Sequence, residues 1–167
     1  FNDLQALERT LAAGDVALVL TEPVMTNCNL IMPDADFHRG VRELTHRYGT
    51  LLCIDEAHTF QFAFGGLSRE WRLPSDFIVL GKGFGSGMAF GLYGMSEAVA
   101  DCFARHLDGD LGPRGIATGG TTYASALAVA VARVMLEQIL TADAYERVRA
   151  LGALLADGLD AAFQQRG

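Results

Sequence analysis

Residues 76–94, DFIVLGKGFGSGMAFGLYG, are the stretch from which the rest of the chain can be interpreted. The apolar run at residues 77–80 predicts a short buried strand. A glycine and then Lys82 follow this strand at once, and three more glycines lie among residues 83–87. A phosphate-binding loop would have Ser or Thr directly after its lysine, whereas this chain has Gly83 there. The pattern therefore predicts a lysine amine at a strand terminus, among residues small enough to let a flat ligand approach the backbone.

Two roles are compatible with such a lysine. It is either a solvated loop cation, the common case for a lysine among glycines, or a nucleophile that forms a Schiff base with a carbonyl compound such as pyridoxal 5′-phosphate. A second apolar run, residues 50–54, predicts another buried strand and leads into Asp55. Open α/β sheets bind ligands at the carboxyl ends of their strands, and an ionised Asp beside a pyridine nitrogen keeps that nitrogen protonated. Asp55 and Lys82 together favour the cofactor interpretation.

Further candidate residues lie near predicted element ends. His58 follows Asp55 by three residues, and its ring could donate a hydrogen bond to the cofactor's phenolate oxygen or stack on the cofactor ring. Glu22 follows a predicted strand at residues 16–20, and the proline after it should end the strand ladder because it has no amide donor. Residues 119–122, GGTT, precede a long apolar helix, whose N-terminus is a favourable place for a phosphate. Solvated carboxylates, surface histidines and helix caps are the alternatives for these positions.

The motifs around these residues resemble those of a known family. They are Thr21-Glu22-Pro23-Val24, LLCIDE at residues 51–56, LGKG at 80–83 with GMAFG at 87–91, and Gly119-Gly120-Thr121. Their order and spacing, from about residue 16 to residue 136, resemble the fold type I pyridoxal-phosphate enzymes. The similarity is greatest to the class III aminotransferases, the family that includes glutamate-1-semialdehyde aminomutase.

The resemblance implies amino-group transfer between a small-molecule amino donor and an oxo acceptor, in a homodimer with a shared active site. Lys82 would hold pyridoxal 5′-phosphate as a Schiff base and move a proton between substrate and cofactor carbons. Asp55 would maintain the electron sink of the ring, and His58 would contact the ring oxygen. Glu22 would contact the residues that surround the cofactor and support the site through them. Thr121 would reach the phosphate of the neighbouring subunit's cofactor.

Two alternatives to this function stay open. The run Asp-Glu-Ala-His at residues 55–58 also occurs in α-oxoamine synthases, which share the fold and condense acyl-CoA substrates, whereas class III enzymes often have Gln or Met in place of His58. The glycine-rich run after Lys82 and the GGT motif at 119–121 favour class III. The second alternative is a non-catalytic fragment or interaction module, because family members are longer and supply a phosphate-binding turn from an upstream segment.

The expected fold class is α/β, a partial large domain of a fold type I enzyme with a mostly parallel sheet flanked by helices. Residues 1–140 would form part of the cofactor-binding large domain, and residues 141–167 a linking helix toward a mostly absent small domain. The periodicity of apolar residues predicts helices at 3–13, 34–48, 97–105, 124–140 and 143–163, with Asp3 and Asp34 as caps of the first two. Loops are expected at 57–72 and 106–115, and a returning strand at 88–94.

The composition sets limits on the classes of partner. With 167 residues, half of them hydrophobic, the chain can bury one core. A net charge of −7 argues against nucleic acid or an anionic membrane as partner. The three scattered cysteines predict neither a disulfide framework nor a metal site. We find no long apolar run and no signal peptide, so the expected location is the cytoplasm.

Overall fold

The computed structural model describes residues 1–107, 120–121 and 123–166. The helices in these residues are α1 (Leu4–Leu11), α2 (Phe37–Arg47), α3 (Gly66–Glu70), α4 (Glu97–Leu107), α5 (Ala126–Val134) and α6 (Ala142–Gln164). The strands are β1 (Leu18–Thr21), β2 (Leu51–Asp55), β3 (Phe77–Leu80) and β4 (Leu92–Met95). Most of the loop expected at residues 106–115 lies outside the described residues.

The four strands form one sheet in the order β1-β2-β3-β4. β1, β2 and β3 are parallel, and β4 returns antiparallel to β3. Parallel neighbours require crossover connections, which α2 supplies between β1 and β2 and α3 supplies between β2 and β3. The sheet confirms the expected α/β class with a mostly parallel arrangement. Its consequence for function is that the carboxyl ends of β1, β2 and β3 lie at one edge.

The main core lies between β2 and the helices that cover one face of the sheet. Val41 of α2 packs there with Leu52 and Ile54 of β2, and each of the three is 1% exposed. Burying a side chain of this size stabilises the fold by about 1.5–3 kcal/mol. α1 packs beside α2 and begins at the predicted cap, because the Asp3 carboxylate accepts a hydrogen bond from the amide of Ala6 at 2.8 Å.

A partly buried ion pair joins α2 to the starts of β2 and β3. The Arg42 guanidinium donates to Asp76 Oδ2 at 2.6 Å. The backbone amide of Leu52 donates to the same oxygen at 2.8 Å. Charge-assisted bonds of this kind fix geometry as well as adding energy. Asp76 therefore holds the entry to β3 in register with β2.

The C-terminal helices have few buried residues. α5 runs into a π-helical turn at Met135–Ile139, and α6 follows from a capping hydroxyl on Thr141. Tyr145 is the buried residue of α6, and its hydroxyl donates to the carbonyl of Phe60 at 2.9 Å. The helix expected at 143–163 is confirmed, while the assignment of residues 141–167 to a domain link stays a prediction. Within the described part of the chain, no helix has the length and apolarity needed to cross a membrane.

Candidate active site

The predicted carboxylates and the predicted amine all lie at the carboxyl edge of the parallel strands. Glu22 directly follows β1, Asp55 is the last residue of β2, and Lys82 lies two residues beyond β3. The register places Thr21 opposite Ile54 and Asp55 opposite Val79. The three strand ends are therefore level with one another, which is the arrangement in which open α/β sheets bind ligands.

Lys82 opens a 3₁₀ turn, Lys82–Gly85, and its side chain is exposed. Its backbone φ of 51° lies in the left-handed region that non-glycine residues rarely adopt. The turn is anchored by Phe84, which is buried between Phe60 and Phe90 with ring centroids at 5.8 and 5.5 Å. Lys82 is the only lysine in the sequence. Within the described residues it takes part in no ion pair, so its amine is not committed to a carboxylate.

Asp55 is half-buried, and one of its oxygens is already engaged. Oδ1 accepts a hydrogen bond from the amide of Ala57 at 2.8 Å. Asp55 and Glu22 also line the same open cleft of about 480 Å³. The cleft is otherwise walled by side chains of α1, β1 and α2, among them Leu7, Val19 and Val41. Among the described residues no hydrogen bond engages Oδ2 of Asp55, so this oxygen can accept a hydrogen bond from a protonated ring nitrogen.

A polar chain connects Glu22 to His58. Glu22 Oε2 accepts hydrogen bonds from the hydroxyl of Thr26 at 2.7 Å and from its amide at 3.2 Å. The Thr26 hydroxyl in turn contacts His58 Nδ1. Thr26 is not among the residues that the sequence motifs indicate. It follows Glu22 by four residues, but nothing in the sequence indicates a contact with His58, which lies 32 residues beyond Thr26.

Glu56, next to Asp55, has a structural environment of a different kind. Its side chain is fully buried and accepts from the Thr59 hydroxyl at 2.5 Å and from the amides of Leu67 and Ser68 at 3.2 and 2.5 Å. These donors include the free amides at the start of α3, so Glu56 caps that helix from outside it. A Cβ added at Gly66 would lie 2.5 Å from Glu56 Oε1, which shows how closely the backbone encloses the carboxylate.

Thr121, the candidate phosphate-binding residue, is exposed. Gly119 and Thr122 of the same motif are outside the described residues. Nearby, Gly120 and Tyr123 line a different cleft of about 750 Å³ together with β4 residues such as Leu92. Within the described residues, no hydrogen bond joins Thr121 to Asp55 or Lys82. Its expected contact is with the cofactor of a neighbouring subunit, and that contact stays a prediction.

Burial alters the acidity of one residue close to the site. Desolvation, together with the charge of Asp55, raises the pKa of the Cys53 thiol. The thiolate is the reactive form of cysteine. Cys53 is therefore an inert core residue, as its position inside an apolar strand suggests.

The donor set fits a pyridine-type aldehyde cofactor. The fit rests on an uncommitted amine at Lys82 and a half-engaged carboxylate at Asp55, at the ends of adjacent strands. The loop after the lysine is closely packed, because a Cβ on Gly85 would lie 3.0 Å from the Cβ of Phe90. Within the described residues there is no cluster of His, Cys, Asp and Glu that could hold a metal ion.

Comparison with known proteins identifies the family. The chain belongs to the class III aminotransferases, since the family model described as Aminotransferase class-III matches residues 1–166. This confirms the resemblance in the sequence motifs, and it favours class III over the acyl-CoA-condensing alternative.

Several known proteins are similar to the chain. Glutamate-1-semialdehyde 2,1-aminomutase of Akkermansia muciniphila is 33% identical over all of this chain and 38% of its own length. A glutamate-1-semialdehyde-aminomutase structure from Pseudomonas aeruginosa PAO1, in complex with PMP, has a TM-score of 0.89 at 40% identity and covers 99% of this chain and 37% of its own. An omega-transaminase structure from Sphaerobacter thermophilus has a TM-score of 0.84 at 28% identity, with coverages of 99% and 37%. The chain thus spans little more than a third of the length of these relatives.

Proposed function

We propose that this chain carries the cofactor lysine of a pyridoxal 5′-phosphate-dependent aminotransferase or aminomutase. The observation that supports this most directly is the placement of Asp55 and Lys82 at the carboxyl ends of adjacent parallel strands. Family membership and the relatives named as aminomutases and transaminases agree with it.

Each candidate residue has a distinct role in the proposal. Pyridoxal 5′-phosphate, when bound, supplies an electron sink for the carbon that bears the substrate's amino group. The Lys82 amine would hold the cofactor and, when free, would take up and return a proton at its Nζ. The Asp55 carboxylate holds a proton on the ring nitrogen. His58 would lie beside the cofactor ring, and Glu22 supports His58 through Thr26.

The substrates follow from the same chemistry. The protein would take a small-molecule amino donor and an oxo acceptor, or would move an amino group within one molecule. These two outcomes differ in whether the reacting species leaves the site between the half-reactions. Relatives of both kinds match the chain.

The proposal extends to assembly and location. A homodimer would bring Thr121 of one subunit to the phosphate of its neighbour's cofactor, at the N-terminal side of α5, where unpaired amides favour an anion. Residues 1–140 would belong to the large domain and residues 141–167 to the link to a small domain. The proposed location is the cytoplasm.

The experiment uses the fact that Lys82 is the only lysine. The chain is mixed with pyridoxal 5′-phosphate, the visible absorbance is recorded before and after borohydride, and the reduced protein is mapped by peptide mass spectrometry. We expect a reducible band and a pyridoxyl group on Lys82. The N-terminal amine is the only other primary amine of the chain, so the mapping separates specific from incidental labelling.

Lys82→Arg is the matched control, because it keeps the positive charge but cannot form the Schiff base. It should show no reducible band, whereas a wild-type sample measured in parallel should show one. Labelling of the N-terminus alone, or a band of equal size in Lys82→Arg, would contradict the proposal.

A further inference from the structure

The polar chain from Glu22 through Thr26 to His58 determines where protons lie. All three residues are partly buried, and the Thr26 side chain makes both contacts, 2.7 Å to Glu22 Oε2 on one side and His58 Nδ1 on the other. The amide of Thr26 also donates to Glu22 Oε2 at 3.2 Å. One oxygen of the Glu22 carboxylate therefore accepts two hydrogen bonds, both from Thr26.

The number of available protons allows one arrangement. A carboxylate only accepts hydrogen bonds, and a threonine hydroxyl has one proton to donate. That proton is directed to Glu22, so the Thr26 oxygen is left with lone pairs toward the imidazole. A hydrogen bond between Thr26 and His58 then requires a proton on Nδ1. Histidine protons are assigned from such networks, since they are not located directly.

We infer that Glu22 and Thr26 are positioning residues that hold neutral His58 in the Nδ1–H tautomer. The second ring nitrogen, Nε2, then carries a lone pair and accepts a hydrogen bond or a proton. Within the described residues, no hydrogen bond engages Nε2. This inference rests on the proposed function for its consequence in the site, but not for its test.

The consequence changes the expected role of His58. A donor to an anionic ring oxygen needs a proton on Nε2, which the neutral Nδ1–H form lacks. The ligand group that faces Nε2 is therefore a hydrogen-bond donor, such as a hydroxyl, an ammonium group or water. His58 thus selects for a donor at this point of the site.

Two other histidines serve as internal references. His38 Nε2 contacts the carbonyl of Pro23 at 2.8 Å, and a carbonyl only accepts, so His38 has the proton on Nε2. His106 Nδ1 contacts the carbonyl of Cys102 at 2.7 Å, so His106 has the proton on Nδ1. The contacts of these two rings therefore assign one tautomer of each kind within the same chain.

The test is a long-range ¹H–¹⁵N correlation spectrum of the ¹⁵N-labelled chain without cofactor. It is recorded about two pH units above the ordinary histidine pKa of about 6.5, so that the rings are neutral. We expect His58 to give the same pattern as His106, with a preference for Nδ1–H of about tenfold or more. A His58 pattern like that of His38 would overturn the inference.

Variants test the part played by each positioning residue. Thr26→Val and Thr26→Ala remove the acceptor and should turn the His58 pattern into a mixture of tautomers, whereas Thr26→Ser should keep it. Glu22→Ala frees the hydroxyl proton and should also give a mixture, whereas Glu22→Gln keeps an oxygen for both Thr26 donors and should not. An unchanged pattern in Thr26→Val or Glu22→Ala would overturn the role of that residue. The His38 signals in each spectrum show whether the variant is folded.

Adding pyridoxal 5′-phosphate to the same samples separates the two claims. A chain with the expected tautomer that fails to label Lys82 would refute the proposed function and leave the inference standing. Labelling of Lys82 with the opposite tautomer would refute the inference alone.

Discussion

The sheet region, residues 1–107, buries many of its apolar side chains. The C-terminal helices, residues 123–166, leave most of theirs exposed. In the sheet region Leu52 is 1% exposed, whereas Leu155 on α6 is 64% exposed. Removal of apolar surface from water is the main favourable term in folding. The sheet region therefore supplies most of the stability of this chain, and α6 adds its contact through Tyr145 and an exposed ion pair between Arg149 and Glu70.

The difference shows what an amphipathic pattern can establish. Both α2 and α6 have apolar side chains at helical spacing, and both form helices. The stripe of α2 is covered by β2, whereas the stripe of α6 is not covered by any described residue of this chain. The exposed members of the α6 stripe are Val148, Leu151, Leu154, Leu155, Leu159 and Phe163. Periodicity predicts the element but does not identify what packs against it.

The largest effect should come from Glu56→Ala. The change leaves the Thr59 hydroxyl and two amides at the start of α3 without their acceptor in a fully buried position. Each unsatisfied buried donor costs about 1–3 kcal/mol, so we expect a loss of at least about 3 kcal/mol. Urea unfolding measures the loss.

Asp55→Asn is the matched control for this change, one residue away. It keeps the shape of a side chain at the open edge, where it should change the free energy of unfolding by less than about 0.5 kcal/mol. Equal losses for the two variants would mean that the open edge and the buried pocket contribute alike to stability.

The next effect compares one leucine from each region. Leu52→Ala should cost about 2–5 kcal/mol through lost contacts and a cavity in the main core. Leu155→Ala should change stability by less than about 0.5 kcal/mol, because its side chain is already mostly in water. Denaturant midpoints for the two variants check this, and similar shifts would contradict the contrast between the regions.

A smaller effect is expected for Tyr145→Phe, which acts where the two regions meet. It removes the hydroxyl that donates to the Phe60 carbonyl, at a cost of about 0.5–1.5 kcal/mol. Amide hydrogen exchange should speed up in the first turns of α6 and stay unchanged in β2. Faster exchange in β2 would show that α6 supports the sheet after all.

The smallest effect concerns the pH dependence of the sheet region. Burial lowers the pKa of His38, and its Nδ1 is a buried nitrogen with no partner among the described residues. A lowered folded-state pKa means that the unfolded chain binds the proton more readily. Stability should therefore be full above the ordinary pKa of about 6.5 and fall as the pH drops below it. His38→Gln, which keeps a donor but does not ionise, should flatten this part of the profile, and an unchanged slope would exclude His38 as its source.

Much of the sheet could be predicted from the sequence. The strand at Phe77–Leu80 was predicted at its observed bounds, and the strand ending at Asp55 was displaced by one residue. Asp3 was correctly predicted as a cap. The prediction of Asp34 as the cap of α2 is wrong, because α2 begins after Asp36. Asp36 has a left-handed φ of 65°, and its side chain accepts no capping hydrogen bond from the helix backbone. Local patterns succeed where burial and capping agree, and fail where the chain bends for other reasons.

The remaining differences have tertiary causes. Residues 57–72 were predicted as a loop, yet α3 forms within them because Glu56 supplies its cap from outside the helix. The expected strand at 88–94 is shorter and later, since the pairing with β3 begins at Leu92. The sequence placed Asp55 and Lys82 at the candidate site, but the contact of Thr26 with His58 depends on two segments meeting in space, which no local pattern records.

The left-handed conformation of Lys82 has a consequence for how this position can vary. A residue with a Cβ costs about 1–2 kcal/mol in that region, and glycine avoids the cost. Lys82→Gly should therefore be more stable than Lys82→Ala by about 1 kcal/mol, although both lack the amine. Selection for folding alone would replace this lysine with a fifth glycine in its run. A lysine at this position therefore lowers stability relative to glycine, and the proposed Schiff-base role would account for its presence.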